Sequence, residues 1–289
     1  MKICLKCKGA YLASDRRCPL CGCEPVQTNG VTSFAPHSDE IDDGFNPSYY
    51  RRFFRFEKMH FWFQYRNEIV LWAFKKFFPD SRSFFELGCG TGFILSAIEH
   101  NFPAVKICGG DIHTRGLSIA QGRVGKASFF QLDARDIPFE EEFDVVGAFD
   151  MLEHFHEDEE ALRQIYKATK TGGGVLLTVP QHPFLWSRFD EFFHHVRRYN
   201  SKKLKSKIER AGFKIVWTTS FMSLPLPFFI ASRIFKGHSH ENYDGFDEFK
   251  KSLAYNLLMR KLLNLEGLMI RKAQMRLPVG SSLFVVAKK

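Results

Sequence analysis

The sequence lacks any run that is long and apolar enough to span a membrane. Its longest uncharged stretch, 215–232, contains two prolines and several hydroxyl residues, whereas a span needs about 20 mostly apolar residues. The first residues are too polar for a signal peptide and offer no cleavage site. Arginine-rich tails and repeats are also missing, so the net charge of +9 carries no specific signal for nucleic acid. We therefore expect a cytoplasmic protein.

Cysteine is scarce, and its distribution argues against a disulfide framework. Four of the seven cysteines form two close pairs near the N-terminus, Cys4-x-x-Cys7 and Cys18-x-x-Cys21. Two such pairs can give one zinc ion four thiolates, and so short a segment would take its folding energy from the metal. The pattern resembles the rubredoxin-like knuckles of zinc ribbons, which predicts a structural zinc module at 1–26. A redox pair or unpaired thiols are the alternative.

Composition divides the rest of the chain. Residues 27–46 are rich in Ser, Thr, Asp, Gly and Pro, which predicts a linker. The segment 49–78 is dense in aromatics and arginines and is predicted to be a helix, packed in the core or forming one wall of a substrate pocket. Phenylalanine is over-represented, with 32 copies, which fits a large core and also an apolar pocket. The main domain is placed at 47–289.

Short apolar runs alternate with helix-like segments from residue 83 onward. Strands separated by helical crossovers predict a doubly wound α/β fold, a parallel sheet with helices on both faces. Ligands of such sheets bind beyond the carboxyl ends of the strands, near the point where strand order reverses. The residues after each run are therefore the candidate site. The runs are 84–87, 105–108, 128–132, 143–149 and 175–179.

A glycine turn follows the first run and contains Glu86, Gly88, Gly90 and Gly92. Glycines permit a tight bend and a close approach of ligand to the backbone. The spacing disfavours NAD and FAD, because Phe93 stands where G-x-G-x-x-G requires its third glycine. The segment resembles motif I of the class I S-adenosylmethionine-dependent methyltransferases, in which an acidic residue opens the turn.

The resemblance continues along the chain and implies further cofactor ligands. Asp111, after the second run, matches the acidic residue that receives the ribose hydroxyls, and a carboxylate can accept two such hydrogen bonds. Asp133 and Ala134 match the segment that meets adenine, and Asp150 ends the fourth strand at the site. The family implies a mostly parallel, seven-stranded Rossmann-like sheet that ends in an antiparallel pair. S-adenosylmethionine is the implied methyl donor.

An oxygen or nitrogen acceptor can require a base that removes its proton. The candidates are His154, after the fourth strand, and His194 and His195, after the fifth. For His154, packing or helix capping is the alternative. Asp150-x-x-Glu153-His154 also resembles the metal-binding E-x-x-E-H of ubiquinone-pathway and small-RNA O-methyltransferases, with Asp in place of the first Glu. One of the later histidines would complete such a site.

The acceptor is less constrained. Segment 180–199 and the earlier aromatic segment resemble an uncharacterised bacterial subgroup associated with cell-envelope or glycolipid functions. Arg188, Arg197 and Arg198 are candidates for clamping an anionic acceptor, with loop salt bridges as the alternative. We expect a small or lipid-linked acceptor. A nucleic-acid (RNA) methyltransferase and a non-catalytic zinc-dependent adaptor are the competing hypotheses.

A long insertion, about 222–279, separates the last two predicted strands. Its helices are expected to cover the acceptor pocket. The Pro/Phe-rich start and the basic helical end of this insertion also fit shallow docking of an apolar wedge on an anionic membrane. On that hypothesis the protein makes peripheral contact with the inner membrane face.

Overall fold

The computed structural model describes residues 1–12, 15–36, 46, 48–236 and 243–289. The strands are β1 (Lys2–Ile3), β2 (Ala10–Tyr11), β3 (Val26–Thr28), β4 (Val31–Ser33), β5 (Ser83–Leu87), β6 (Lys106–Asp111), β7 (Ser128–Gln131), β8 (Phe143–Phe149), β9 (Thr169–Pro180), β10 (Lys214–Phe221) and β11 (Ser282–Lys288). The helices are α1 (Tyr49–Phe56), α2 (Phe61–Phe77), α3 (Phe93–Asn101), α4 (Thr114–Arg123), α5 (Asp158–Ala168), α6 (Arg188–Phe192), α7 (Ser201–Arg210), α8 (Leu226–Lys236) and α9 (Leu253–Gly267).

One sheet has the order β10-β11-β9-β8-β5-β6-β7-β4-β3. Its neighbours from β9 to β4 run parallel, whereas β11 lies antiparallel between β9 and β10. The chain order reverses at β5, which has β6 on one side and β8 on the other. The doubly wound fold and its antiparallel final pair are therefore confirmed, and a ligand crevice is expected beyond the ends of these three strands.

The sheet is two strands wider than the seven predicted, because part of the expected linker is a β-hairpin. β3 and β4 pair antiparallel around Asn29 and Gly30, whose φ angles are +49° and +78°. Asn-Gly favours the tight hairpin turn in which both central residues have positive φ. β4 then pairs in parallel with β7, so that the hairpin extends the sheet edge. Residues 37–45 of the expected linker lie outside the described residues.

Helices cover both faces of the sheet, and alternate strand residues divide between two cores. Phe84 and Val145 belong to the core beneath α2, α3 and α9. Phe85 and Val146 belong to the core beneath α5 and α7. Strands buried on both faces read as continuous apolar runs, which explains why they could be located in the sequence.

The single helix expected at 49–78 is two helices, α1 and α2. His60 has extended backbone geometry at the start of α2, and its Nδ1 accepts a hydrogen bond from the Trp62 N–H at 3.3 Å. This cap satisfies one of the free N–H groups at a helix start, so a second helix begins here. The break lets α1 pack against α4 while α2 packs against α3 and α9.

The N-terminal module is attached to the segment that precedes β8. β1 and β2 form a separate two-stranded sheet. The Ile3 N–H donates to the Pro138 carbonyl at 3.0 Å, and the N-terminal ammonium lies 2.8 Å from the Glu142 carboxylate. Backbone and charge contacts together therefore fix the module against the main domain.

The insertion between β10 and β11 contains α8, a 3₁₀ turn at Gly245–Glu248 and α9, with 237–242 outside the described residues. Among the described helices, none has both the length and the apolar character that a membrane span requires.

A buried carboxylate anchors the start of the insertion. Glu266 is fully buried, and its two oxygens accept the N–H groups of Met222, Ser223 and Leu224 at 2.7–2.9 Å. It also accepts the Tyr65 hydroxyl at 3.2 Å. Burial raises the pKa of Glu266, and the hydrogen bonds oppose that shift. One side chain thus satisfies three backbone donors where the chain leaves β10.

Replacing Glu266 by alanine is expected to lower the free energy of unfolding by about 2–4 kcal/mol, because buried N–H groups lose their acceptor. Urea denaturation followed by circular dichroism measures the change. Glu209→Ala, at an exposed position of α7, is the matched control and should stay within about 0.5 kcal/mol of the wild type. Equal stability of Glu266→Ala and wild type would contradict the anchoring role.

Candidate functional site

The glycine turn lies directly after β5, where the strand order reverses. The N–H groups of Gly88 and Cys89 donate to the Gly110 carbonyl at 2.8 and 3.0 Å, which ties the turn to β6. Gly88 has a φ of +70°, and a Cβ there would lie 2.6 Å from the Met151 Cγ. A larger residue would both strain the backbone and clash, so this position requires glycine.

The turn borders a cavity of about 1540 Å³ at the carboxyl ends of β5, β6 and β8. Typical ligand pockets measure about 300–1,000 Å³, so this cavity has room for two bound molecules. Gly88 and Gly90 line it. Gly92 instead makes room for α4, since a Cβ there would lie 2.9 Å from the Ala120 Cβ. Of the predicted glycines, Gly92 therefore serves packing.

Asp111 connects the turn to two other elements. Its carboxylate accepts the Gly90 N–H at 2.8 Å, the His113 N–H at 3.0 Å and the Tyr50 hydroxyl of α1 at 3.2 Å. Burial raises the pKa of Asp111, while these hydrogen bonds oppose the shift. The predicted ribose ligand thus lies in the cavity wall, at the end of β6.

Two further predicted acids border the cavity. Glu86 is buried, and its Oε2 has no hydrogen-bond partner among the described residues. Burial raises the pKa of Glu86 to about 8, against the opposing charge of Arg66. The Asp150 Oδ2 accepts from the Arg66 Nη1 at 2.8 Å and the Thr178 hydroxyl at 2.9 Å. Burial thus favours the neutral form of Glu86 in the free protein, and a cationic ligand beside it would favour the ionised form.

Asp133 is placed differently from the prediction. Its carboxylate is held by the guanidinium of Arg135, with an Nη2–Oδ2 distance of 2.7 Å. Leu132 and Ala134, on either side of it, line the cavity, as does Arg135. The segment is therefore at the site as expected, but Arg135 engages the carboxylate that was assigned to adenine.

Two of the three predicted histidines meet in the cavity wall. The rings of His154 and His195 are 4.9 Å apart and nearly perpendicular. Burial lowers the pKa of His154 to about 3, and nearby His195 adds to the effect, so His154 is neutral at physiological pH. His194 also lines the cavity, with a φ of +56°.

A buried acid lies beside the histidine pair. Glu153 offers one carboxylate oxygen within 4.8 Å of a ring nitrogen of both His154 and His195. Both of its carboxyl oxygens are buried without a hydrogen-bond partner among the described residues. Burial raises the pKa of Glu153 well above its ordinary value, with the charge of Asp150 adding to the shift. These three side chains form a compact group of possible metal ligands.

Asp190 supports His195, a role that sequence reasoning did not reveal. The fully buried Asp190 Oδ1 lies 3.0 Å from the His195 Nδ1 and 2.8 Å from the Arg198 Nε. Ser187 and Asp190 form a capping box at the start of α6. The Ser-x-x-Asp spacing is a signal for this helix start, but not for the contact with His195.

Three arginines were predicted either to clamp an anionic acceptor or to form salt bridges within loops. Arg197 pairs with Asp158 at 3.1 Å, and Arg198 pairs with Asp190, so both take part in salt bridges within the protein. Arg188 lines the cavity, and its guanidinium lies 5.0 Å from the centre of the Tyr243 ring. Arg198 lines the cavity as well, so these two arginines lie where an anionic group of a ligand could meet them.

Aromatic side chains form a large part of the cavity wall. Rings from α1, α2, α6 and the insertion pack together, with the Phe53 and Phe246 centroids 4.9 Å apart and the Phe63 and Phe249 centroids 5.4 Å apart. This packing accounts for much of the phenylalanine excess. The aromatic residues that line the cavity include Phe53, Phe61, Trp62, Phe63, Phe189 and Phe249.

The four predicted zinc ligands converge in the N-terminal module. The Cys4 and Cys21 sulfurs are 3.6 Å apart, the Cys7 and Cys18 sulfurs are 3.5 Å apart, and all four lie within 4.8 Å of one another. Zn–S bonds of about 2.3 Å in a tetrahedron separate sulfurs by about 3.8 Å. The positions of the four sulfurs therefore fit a single zinc ion.

Comparison with known proteins gives one family. A sequence profile described as a methyltransferase domain matches residues 53–218, more than half of the chain. The chain is 28% identical over 151 residues to the biotin biosynthesis bifunctional protein BioHC of Teredinibacter turnerae, covering 45% of this chain and 26% of that protein. It is 23% identical over 104 residues to the malonyl-[acyl-carrier protein] O-methyltransferase of Priestia megaterium, covering 35% and 38%. The match thus spans less than half of either relative.

A solved structure of similar fold is a SAM-dependent methyltransferase from Thermotoga maritima. The TM-score is 0.53 at 18% identity, and the match covers 88% of this chain and all of that chain. At this identity the likeness concerns the fold alone.

Proposed function

Because this chain belongs to the class I S-adenosylmethionine-dependent methyltransferases, we propose that it methylates an oxygen or nitrogen atom of a small or lipid-linked acceptor. One observation carries the proposal. A single cavity joins the glycine turn and its acidic side chains to the His154–His195 pair and the aromatic wall. Donor and acceptor would share one enclosure, where positioning supplies much of the rate enhancement.

The donor end of the cavity suits a cationic nucleoside. When bound, S-adenosylmethionine supplies an electrophilic methyl group on a positively charged sulfonium. Asp111 is proposed to accept the ribose hydroxyls, and Ala134 to border the adenine. The unpartnered oxygen of Glu86 can accept a hydrogen bond from the donor, and the positive charge of the donor would favour the ionised form of this acid. Gly88 and Gly90 have no side chains, so the methyl donor can lie close to the backbone of the turn.

His195 is proposed as the base that takes the acceptor proton. The Asp190 carboxylate beside its Nδ1 fixes the ring orientation, which leaves Nε2 for the proton, and it stabilises the imidazolium that forms. His154, kept neutral by burial, lies against this ring and places no competing charge there. Asp190 is a positioning residue in this scheme.

The aromatic wall supports an acceptor with an apolar part. Phe61, Trp62 and Phe249 line the cavity, and Arg188, which lines it too, is proposed to meet an anionic group. A relative is named for methyl transfer to a malonyl group on acyl carrier protein, which is an acyl acceptor. An acceptor that combines an apolar chain with an anionic group fits this lining, and a long nucleic acid does not.

A divalent cation at Glu153, His154 and His195 is a second candidate for the catalytic centre. The three side chains offer one oxygen and two nitrogens within 4.8 Å of one another, and the buried Glu153 lacks a hydrogen-bond partner among the described residues. Asp190 would then orient His195 as a ligand. Such a cation would polarise the acceptor atom.

The cysteine cluster is proposed to hold a structural zinc ion. The two C-x-x-C turns supply four sulfurs, and the short strands β1 and β2 enclose a core of few residues, among them Cys4, Tyr11 and Cys18. A core this small cannot stabilise the module without a crosslink or a metal.

Replacing Asp111 by asparagine is expected to weaken S-adenosylmethionine binding by about tenfold or more, because a charged acceptor of hydrogen bonds is lost. Isothermal titration calorimetry measures this affinity. Asp133→Asn is the matched control and should bind like the wild type, since Arg135 already holds that carboxylate. Weakened binding by Asp133→Asn together with unchanged binding by Asp111→Asn would contradict the proposed S-adenosylmethionine site. Wild-type protein that binds no donor at millimolar concentration would favour the non-catalytic adaptor.

Replacing His195 by alanine is expected to lower kcat by about 10²–10⁴-fold with donor affinity unchanged, because the general base is removed. Asp190→Asn should give a smaller loss and an altered pH profile. The assay follows labelled methyl from the donor into lipid and soluble-metabolite extracts. His100→Ala, at an exposed position of α3, is the control.

Chelation separates the two catalytic candidates in the same assay. Activity that survives EDTA, in protein that keeps its cysteine-bound zinc, supports His195 as the base. Activity that is lost and then restored by added Mg²⁺ supports the cation. Full activity of His195→Ala would contradict both schemes.

Protein purified without a metal-binding tag is expected to contain one zinc ion per chain by elemental analysis. Cys18→Ser should lose it, because one of four ligands is removed. Cys23→Ser should keep it, since Cys23 stands outside the group of four. A folded, metal-free module would refute the zinc assignment and favour a redox role.

A further inference from the structure

Helix α9 is apolar on two faces, and the protein covers one of them. Met259 and Leu263 are buried in the core beneath α2. The opposite face carries four leucines, and Leu268 follows directly after the helix; the exposed fractions of the five range from 46% to 74%. At 100° per residue the four leucines of α9 fall within an arc of about 140°, so they form one continuous surface. The α9 leucine stripe consists of Leu253, Leu257, Leu258, Leu265 and Leu268.

The stripe belongs to the same insertion that borders the cavity. Phe228 of α8 is 47% exposed and also lines the cavity, together with its neighbour Phe229. Tyr255, on the first turn of α9, lines the cavity as well. Exposed apolar surface and cavity wall are therefore provided by the same two helices.

Positively charged side chains lie within the stripe and just beyond the C-terminal end of α9. Lys261 is exposed within its arc, and Lys272 and Arg276 are exposed just beyond the end of α9. Between residues 249 and 276 the sequence has one acidic residue, Glu266, which is buried. Acidic residues of the preceding turn are paired with cations in the protein, Asp244 with Arg52 and Asp247 with Lys250.

We propose that the α9 leucine stripe and Phe228 dock in the interfacial region of an anionic lipid membrane. Leucines at this depth leave water, while lysine side chains extend along them and keep their ammonium groups among the lipid phosphates. A nucleic acid would match the cations but leave five leucines exposed. An apolar protein partner would cover the leucines but give the clustered cations no counter-charge. An anionic bilayer satisfies both.

Docking of this kind does not depend on methyl transfer. If the proposed function also holds, the inference narrows the acceptor to a lipid-linked molecule that passes from the bilayer into the cavity, which α8 and α9 help to line.

Co-sedimentation of the full chain with vesicles tests the proposal. The probes are vesicles of phosphatidylcholine alone and of phosphatidylcholine mixed with phosphatidylglycerol. We expect sedimentation with the anionic vesicles that weakens as salt is raised. Leu258→Gln/Leu265→Gln should lower partitioning by about tenfold or more, because buried apolar area is lost. Lys261→Gln should lower it by about fivefold. Leu20→Gln, at an exposed leucine of the N-terminal module, is the control.

Protein that stays in the supernatant with both vesicles overturns the proposal, and so does equal binding to neutral vesicles. Light scattering that reveals a dimer dissociated by the Leu258→Gln/Leu265→Gln change, without vesicle binding, would identify the stripe as an interface between copies of this chain. Calorimetry with S-adenosylmethionine on the same variant separates failure of docking from failure of the donor site, since donor affinity should be unchanged.

Discussion

The buried carboxylate of Asp111 is the junction on which the candidate site depends. It accepts hydrogen bonds from the glycine turn after β5, from the backbone after β6 and from Tyr50 of α1. These contacts connect the ends of β5 and β6, where the order of the sheet reverses. They also connect both strand ends to α1, which borders the cavity. A charged group without these donors would be costly at this depth, so its geometry is tightly constrained. The cavity shape follows from that constraint.

Buried acids in and behind the cavity wall are accommodated in different ways. Asp190 is ionised between His195 and Arg198, which lower its pKa against the effect of burial. Glu86 and Glu153 have buried oxygens without partners, and burial raises the pKa of both. Perturbed carboxyl groups of this kind are costly to a fold and concentrate at functional sites. A bound cation would favour the ionised forms of these acids, which is the electrostatic basis for proposing a cationic donor at this cavity.

Several features that the sequence analysis missed were within reach of local rules. Asn29-Gly30 between short β-branched segments is a strong hairpin signal, but the polar composition around it favoured a linker instead. The end of α1 gave less warning, because the aromatic-rich composition resumes at His60 after only three other residues, 57–59. Asp133 was assigned from its resemblance to a family position, and in the structure Arg135, two residues later, binds its carboxylate. A motif locates a segment more reliably than it assigns each side chain within it.

The sequence by itself determined the doubly wound fold, the glycine turn and the two cysteine pairs, because these depend on hydrophobic runs and on spacings of a few residues. Only the tertiary structure decided that Asp190 supports His195, that the hairpin joins the sheet edge beside β7, and that rings from α1, α2, α6 and the insertion form one wall. The hairpin and the aromatic wall join elements far apart in the chain, and apolar packing tolerates many partners. The Asp190–His195 contact is local, but it depends on how the chain turns after α6. Which partners meet depends on how all the elements fill the same volume, and no local pattern encodes that.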